Sequence, residues 1–242
     1  MQRPLIAGNW KMNGSRKNLS DLVEQLFGVQ YVADVVIFPP HVYIRDAIEA
    51  FSGASITVGA QDVSEHSHGA YTGEISSEML IDIGCEYCLV GHSERRSLYG
   101  EDNFKIAEKF HQANQAGLKP ILCLGETLDQ RQKDETLDTI TAQLDAVLKY
   151  TGKIFSSDLV IAYEPIWAIG SGKSASTDQI QIVHQYIRGK LRDKGLSAKI
   201  LYGGSVTPEN TKELLEEPDI DGLLVGGASL DAKSFAQICK LA

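Results

Sequence analysis

The chain has 242 residues, of which 43% are hydrophobic and 23% are charged, and its formal net charge is −9. This composition excludes a disordered, collagen-like or coiled-coil chain, and a chain of this length can bury about 70–75% of its unfolded surface. The acidic balance, without any basic run, argues against nucleic acid as a partner, although a local positive pocket could still bind a small anion.

The start of the chain and its hydropathy bear on where the protein resides. Its apolar runs are only a few residues long, too short for a membrane span. Asn9 and Lys11 interrupt the apolar residues near the N-terminus, which does not resemble a secretory signal peptide. We therefore expect a cytosolic protein.

Two pairs of residues have a spacing that metal ligands can have. Cys85 and Cys88 form a C-x-x-C pair, but Cys88 lies in an apolar run and no second pair of cysteines follows. We interpret both as reduced cysteines of the core. His66 and His68 lie in a polar stretch, and we interpret them as solvated loop side chains. No metal is therefore expected.

Short runs of apolar and β-branched residues recur along the whole chain and predict strands. In chain order they are Leu5–Ala7, Val35–Phe38, Ile56–Ala60, Tyr87–Val90, Ile121–Leu124, Leu159–Tyr163, Lys199–Tyr202 and Gly222–Val225. Because a strand–helix–strand unit needs about 30 residues, each gap between these runs can hold one helix.

The gaps contain apolar stripes with helical spacing. Three such stripes are formed by Leu19, Leu22, Val23, Leu26 and Phe27, by Ile106, Phe110 and Ala113, and by Ile180, Val183, Ile187 and Leu191. Ser176 with Gln179 predicts a capping box at the start of the third helix, and Thr207 followed by Pro208 predicts the start of another. His184 falls on the third stripe, and we predict that it lies in the core.

The alternation of strands and helices predicts a parallel sheet covered by helices. Eight such units in about 250 residues are typical of a (β/α)8 barrel, so we predict one α/β barrel domain over residues 1–242. A doubly wound open sheet is the alternative, but no dinucleotide-binding glycine motif follows the first strand.

Polar residues follow several predicted strands, at the end of a barrel where the loops form active sites. Glu164 follows the sixth strand, where burial could raise the pKa of its carboxyl toward that of a working base. His92 follows the fourth strand as a donor or acid, and Lys11 follows the first as a cation. Each residue also has a purely structural interpretation. Glu164 could be a carboxylate paired with a basic neighbour, His92 a hydrogen-bonded structural histidine, and Lys11 a solvated surface lysine. The stretch Glu94–Arg96 is interpreted mainly as ion-pairing residues, although Glu94 could also transfer protons.

Glycine pairs after the last two strands suggest a phosphate site. Gly203-Gly204 and Gly226-Gly227 would let backbone N–H groups approach an anion, although glycines also permit tight turns. A base, a donor, a cation and a phosphate cradle fit one reaction class, in which a carbon-bound proton next to a carbonyl is removed and an enediolate is stabilised. The sequence contains no nucleophile elbow and no Walker motif that would indicate another class.

Six segments of the chain resemble the triosephosphate isomerase family. They are GNWKMNG (Gly8–Gly14), GAYTGEIS (Gly69–Ser76), GHSERR (Gly91–Arg96), AYEPIWAIGSGKSAS (Ala162–Ser176), YGGSV (Tyr202–Val206) and LLVGGASL (Leu223–Leu230). The resemblance covers essentially the whole chain in order. It implies the interconversion of dihydroxyacetone phosphate and D-glyceraldehyde 3-phosphate, in glycolysis and gluconeogenesis, without a cofactor or metal.

The resemblance also implies roles for individual residues. Glu164 matches the family's catalytic base, His92 its electrophile, and Lys11 the cation beside the phosphate and the enediolate. Asn9 matches a polar contact, and Glu94 matches an acidic residue close to Lys11. The phosphate-binding backbone is matched by Gly170, Ser205, Gly226 and Gly227. We expect a neutral imidazole at His92, because the N–H groups that follow can begin a helix, whose N-terminus disfavours imidazolium.

A mobile lid and a homodimer are implied as well. Pro165–Ser174 resembles the family's lid. The loop Gln61–Ser76 is long for a βα connection, and in the family this loop inserts into the neighbouring subunit. There the residue matching Thr72 touches those matching Asn9 and Lys11.

A few positions depart from the commonest family pattern. Ile166, Ser171 and Ser174 differ only slightly in volume from the usual residues, and the less usual Cys88 is interpreted as a packing residue. Asp62 stands where many relatives have Asn, and its negative charge near the site could weaken anion binding.

Two other functions remain open from the sequence. A barrel with an inactive site could serve as a binding protein, although the intact Glu164, His92 and Lys11 argue against this. A phosphosugar aldolase would need a Schiff-base lysine or a metal, and borohydride trapping with substrate would reveal the lysine.

Overall fold

The computed structural model describes residues 3–152, 159–170 and 174–242. Within these residues, parallel strands pair in chain order and close into a barrel of eight strands. They are β1 (Leu5–Asn9), β2 (Asp34–Phe38), β3 (Ile56–Ala60), β4 (Tyr87–Val90), β5 (Lys119–Leu124), β6 (Leu159–Tyr163), β7 (Ala198–Tyr202) and β8 (Gly222–Val225). The register of β1 against β8 runs from Leu5 opposite Gly222 to Gly8 opposite Val225. This closure confirms the predicted barrel and rules out the open sheet.

Helices cover the outside of the barrel. They are α1 (Arg16–Leu26), α2 (His41–Ala50), α3 (Ser77–Asp82), α4 (Ser93–Tyr99), α5 (Asn103–Ala116), α6 (Leu128–Gln132), α7 (Thr136–Thr151), α8 (Thr177–Asp193), α9 (Pro208–Glu216) and α10 (Ala232–Leu241). Single 3-10 turns follow β6 and β8, at Ile166–Ala168 and Gly227–Ser229. No helix in the described part of the chain has the length and apolar character needed to cross a membrane.

The apolar core has two layers, because side chains of a strand alternate between its two faces. Leu5 and Ala7 of β1 belong to a cluster inside the barrel, whereas Ile6 between them packs in the larger cluster under the helices. Both faces of each strand are therefore buried, which is why the strands read as continuous apolar runs rather than as alternating patterns.

Most of the local predictions agree with the structure. The capping box of Ser176 and Gln179 opens α8, and Thr207 and Pro208 begin α9. The prediction that Phe27 belongs to the apolar stripe of the first helix is wrong, because α1 ends at Leu26. The backbone leaves the helix at Phe27, with φ −67° and ψ 135°, and turns the ring toward solvent.

The predicted core cysteines and histidine are buried, but one loop histidine differs. Cys85 and Cys88 lie in the core, where burial raises the thiol pKa of Cys85 to about 12. His184 is fully buried with its Nδ1 2.9 Å from the Asp219 carbonyl oxygen, and burial lowers its pKa to about 4. His66 is not a freely solvated side chain, because its ring stacks on Tyr71 at a centroid distance of 3.7 Å.

Candidate active site

A cavity of about 440 Å³ opens where the barrel strands end. Its volume lies in the range of about 300–1,000 Å³ that is usual for small-molecule sites. Eight of the residues proposed from the sequence line it together: Asn9, Lys11, His92, Glu164, Gly170, Ser205, Gly226 and Gly227. Glu94 does not line this cavity. It reaches Lys11 from an adjoining groove, with its Oε1 2.6 Å from the ammonium nitrogen.

Glu164 lies immediately after β6 and is only 2% exposed. Its Oε1 is 3.0 Å from Nε2 of His92, and its Oε2 accepts a 3.0 Å hydrogen bond from the backbone N–H of Ser93. Burial raises the pKa of Glu164, but His92, the Ser93 N–H and Lys11 lower it by more, so it lies below its ordinary value. The expected rise in this pKa is therefore wrong for the arrangement seen here.

His92 forms the N-terminal cap of α4. Its Nδ1 accepts a 3.3 Å hydrogen bond from the backbone N–H of Glu94, which leaves the ring proton on Nε2, facing Glu164. Burial lowers the pKa of His92, but the Glu164 carboxylate raises it by more, so it lies above its ordinary value. The helix end and the carboxylate thus act on the imidazole in opposite directions.

Lys11 is held at the cavity edge by a tight backbone turn. Its φ of +53° is in the left-handed region that few residues other than glycine adopt. The turn is fixed on both sides, since the Lys11 N–H donates to Asn9 Oδ1 at 2.9 Å and Gln61 Nε2 donates to the Lys11 carbonyl at 2.8 Å. The ammonium group therefore has a defined place between the cavity and Glu94.

The two glycine pairs differ in what surrounds them. A Cβ on Gly203 would lie 2.9 Å from Glu164 Cγ, and one on Gly204 would lie 2.2 Å from the Tyr202 hydroxyl. Close packing therefore requires glycine at both positions. A Cβ on Gly226 would meet only Lys11 Cε at 3.6 Å, and one on Gly227 would meet nothing within 4 Å. The second pair thus exposes backbone at the start of a helical turn, where N–H groups lack partners within the turn.

Asp62 belongs to a buried network of charges beside the site. Lys109 Nζ lies 2.8 Å from its Oδ1 and Arg95 Nη2 lies 3.0 Å from its Oδ2, while Glu101 contacts both cations. The added negative charge is thus matched by cations, which weakens its field at the cavity. Arg95 pairs as predicted.

Arg96 differs from the ion-pairing role predicted for it. Its guanidinium donates to the carbonyl oxygens of Gly91 and Cys123 at 2.8 and 2.9 Å, and to Asn103 Oδ1 at 2.8 Å. It therefore ties the start of α4 to the neighbouring strand and to α5 by hydrogen bonds.

The sequence analysis missed Glu126, which is fully buried after β5. Its carboxylate accepts hydrogen bonds from the Tyr163 hydroxyl at 3.1 Å, from Trp167 Nε1 at 2.8 Å and from Arg131 Nη1 at 3.1 Å. It thereby holds the residues on both sides of Glu164. Its position two residues after a strand, at the same barrel end as Glu164, was the available signal.

The segment predicted to form a lid is only partly visible. Ile166–Ala168 form a 3-10 turn, and Ile169 and Gly170 line the cavity. Ser171, Gly172 and Lys173 lie outside the described residues.

Comparisons with known proteins agree with this geometry. The family model for triosephosphate isomerase matches residues 4–242. The triosephosphate isomerase of Methylococcus capsulatus is 49% identical, over 99% of this chain and 98% of the relative. The triosephosphate isomerase of Xanthomonas campestris pv. campestris is 49% identical, and that of Thiobacillus denitrificans is 48% identical. Each of these two matches covers 100% of this chain and 99% of the relative. On this evidence the chain belongs to the triosephosphate isomerase family.

Proposed function

We propose that this protein interconverts dihydroxyacetone phosphate and D-glyceraldehyde 3-phosphate by proton transfer through an enediolate, with Glu164 as the base. The observation that carries the proposal is the buried Glu164 carboxylate at the cavity, within 3.0 Å of the His92 imidazole. A base, a donor and a cation thus surround a space large enough for a triose phosphate.

The proton transfer begins with the bound ketose. Glu164 takes a proton from the carbon next to the carbonyl, the C–H electron pair forms the C=C bond, and the carbonyl oxygen becomes negative. To reach the substrate, Glu164 gives up its hydrogen bond from the Ser93 N–H. Losing that bond removes one of the influences that lower its pKa, which makes the carboxylate a stronger base. The hydroxyl proton on the first carbon then passes to the oxygen of the former carbonyl, and return of the abstracted proton from Glu164 to the former carbonyl carbon gives the aldose.

His92 and Lys11 stabilise the negative oxygen that develops. The Nε2–H of His92 points toward Glu164. Once Glu164 has moved onto the substrate carbon, this N–H can donate to the substrate oxygen. Once Glu164 carries the transferred proton, its charge no longer raises the pKa of His92, and burial favours the neutral imidazole. Asn9 and the Lys11 ammonium add polar contacts, and Glu94 holds that ammonium in place.

The phosphate group is expected to bind at the glycine-rich part of the cavity wall, beside Lys11. Backbone N–H groups at the start of a helical turn are strong hydrogen-bond donors to anions. The proposed ligands are Gly170, Ser205, Gly226 and Gly227, which line the cavity with Lys11.

We further propose that the protein is a homodimer through Gln61–Ser76. Tyr71 in this loop is 46% exposed, and Thr72 and Gly73 at its tip are exposed as well. Action in glycolysis and gluconeogenesis, and a location in the cytoplasm, remain predictions from the sequence and its family.

The test is turnover of D-glyceraldehyde 3-phosphate in a coupled assay with Glu164→Gln. This change keeps the shape of the side chain and removes the proton acceptor, so kcat should fall by about 10²–10⁴-fold. The matched control is Glu86→Gln, an exposed carboxylate before β4 that pairs with Lys119 at the other end of the barrel. A Glu164→Gln variant that is as active as Glu86→Gln would refute the mechanism, and inactive wild-type protein would support a binding barrel.

A further inference from the structure

Gln143 reaches from the helical layer to the end of a strand beside the site. It lies in α7 and is buried. Both ends of its side-chain amide bind the backbone of one residue: Nε2 donates to the Gly125 carbonyl at 2.9 Å, and Oε1 accepts from the Gly125 N–H at 2.9 Å. A pair of such bonds fixes both the position and the orientation of Gly125, just after β5.

Gly125 in turn lies directly against the backbone of Glu164. A Cβ at position 125 would lie 1.8 Å from the Glu164 carbonyl oxygen, so no side chain fits between them. The Glu164 N–H also donates to the Leu124 carbonyl at 2.7 Å. The backbone of Glu164 therefore rests on the last residues of β5 and on Gly125.

The other side of Glu164 is equally close to β7. The Gly203 N–H donates to the Tyr163 carbonyl at 2.8 Å, and a Cβ on Gly203 would approach Glu164 Cγ to 2.9 Å. Glu164 is thus enclosed between two glycines. Gly203 continues the ladder of β7 with β6, whereas the Gly125 peptide is bound by a side chain from another layer of the fold.

We propose that Gln143 is a positioning residue for the isomerase reaction, acting on Glu164 through Gly125. The proposal rests on the proposed role of Glu164 as the base. Gln143 does not line the cavity, so it would act on the reaction only through other residues. If its two hydrogen bonds are lost, Gly125 can shift, and the Glu164 backbone that rests on it shifts too.

The test replaces Gln143 by Met, which keeps the length of the side chain and removes both bonds. Since a displacement of 1 Å can cost about 10²-fold in rate, we expect kcat to fall by at least about tenfold while KM changes little. The kinetic isotope effect for substrate deuterated at the transferred position should rise, because proton transfer becomes slower than the other steps.

The matched control is Gln181→Met. Gln181 is a buried glutamine of α8 whose amide donates to Glu217 Oε2 at 2.6 Å, away from the cavity. Both variants lose a buried amide and should lose thermal stability. Only Gln143→Met should lower kcat and raise the isotope effect.

A second variant, Gln143→Glu, guards against failure of the first to fold. Its carboxylate can still accept from the Gly125 N–H but cannot donate to the carbonyl, so its kcat should lie between those of the wild type and Gln143→Met. In a Glu164→Asp background, the base is already withdrawn from the substrate. Gln143→Met should therefore lower kcat by a smaller factor there than it does in the wild type.

Equal kcat and isotope effect in the Gln143 and Gln181 variants would overturn the proposal. So would full additivity of Gln143→Met with Glu164→Asp. These outcomes differ from failure of the proposed function, in which Glu164→Gln itself would remain active.

Discussion

Glu164 and His92 control each other's charge at the centre of the site. Their closest atoms are 3.0 Å apart, and each shifts the pKa of the other in the direction that favours a charged pair. Burial acts in the opposite direction on both groups, because it disfavours either charge. The protonation of His92 therefore depends on whether Glu164 is ionised.

This dependence can be measured by nitrogen NMR of His92 between pH 5 and 8. In the unliganded wild type, the Glu164 carboxylate raises the pKa of His92 above its ordinary value, so the imidazole should become neutral only at a higher pH. In Glu164→Gln the carboxylate is absent, burial dominates, and the pKa should fall below the ordinary value. A pKa in Glu164→Gln that equals or exceeds that of the wild type would contradict this account. Glu86→Gln should leave the titration unchanged.

At the residue scale, the sequence predicts which groups meet but not how they interact. Glu164, His92 and Lys11 could be assigned because polar residues directly after apolar strands lie at one end of a barrel. The lowered pKa of Glu164 could not be predicted, since it depends on the contact with His92 and on the direction of the Ser93 N–H, which only the folded chain defines. The role of Gln143 was equally hidden. It is a polar residue on the buried stripe of α7, but its partner is the backbone of Gly125, which only the folded chain brings next to it.

At the scale of elements, the strands were predictable because each is buried on both faces. The predicted and observed bounds of β3, β4, β6 and β8 agree, whereas β1 extends to Asn9 and β5 begins at Lys119. These two polar residues continue a hydrogen-bond ladder, which hydropathy does not reveal. Short helices such as α3 and α6 were not predicted, since five or six residues are too few to establish a helical period.

The segment after β6 joins the base to the proposed lid. Glu126 fixes its first turn through Trp167, while Ile169 and Gly170 reach the cavity. Closure of a lid over an enediolate excludes water and opposes loss of phosphate.

Deleting Ile169 and Gly170 should therefore lower turnover and raise the fraction of enediolate that loses phosphate to give methylglyoxal. The measurement is the ratio of methylglyoxal to isomerised product, which is independent of how much folded enzyme is present. An unchanged ratio in a slower enzyme would show that these residues do not protect the intermediate.

At the scale of the whole molecule, the barrel brings residues from both ends of the chain to one cavity. Asn9 and Gly226 face the same space because β1 pairs with β8. The groove beside this cavity, with a volume of about 240 Å³, is lined by Lys11 and Glu94 and by two exposed apolar side chains. Met12 is 93% exposed and Tyr99 is 68% exposed. Exposed apolar surface next to a functional site is typical of a protein interface.

We propose that the tip of Gln61–Ser76 from a second copy of the chain occupies this groove. In that arrangement Thr72 would lie against the turn that holds Lys11, whose φ of +53° needs support from neighbouring groups. The dimer would then affect the rate without contributing a catalytic residue of its own.

The prediction is that Thr72→Arg combined with Gly73→Glu yields a monomer with sharply reduced activity per chain. Charged side chains at the tip would have to lose their hydration in the groove, which disfavours association. Sedimentation should report the mass of one chain, and the coupled assay should report a lower kcat. The matched control is Ser52→Arg with Gly53→Glu, an exposed pair between α2 and β3 whose glycine also has a positive φ, of +83°. The control should remain dimeric and active, and a Thr72/Gly73 monomer with full activity per chain would show that Lys11 needs no support from a partner.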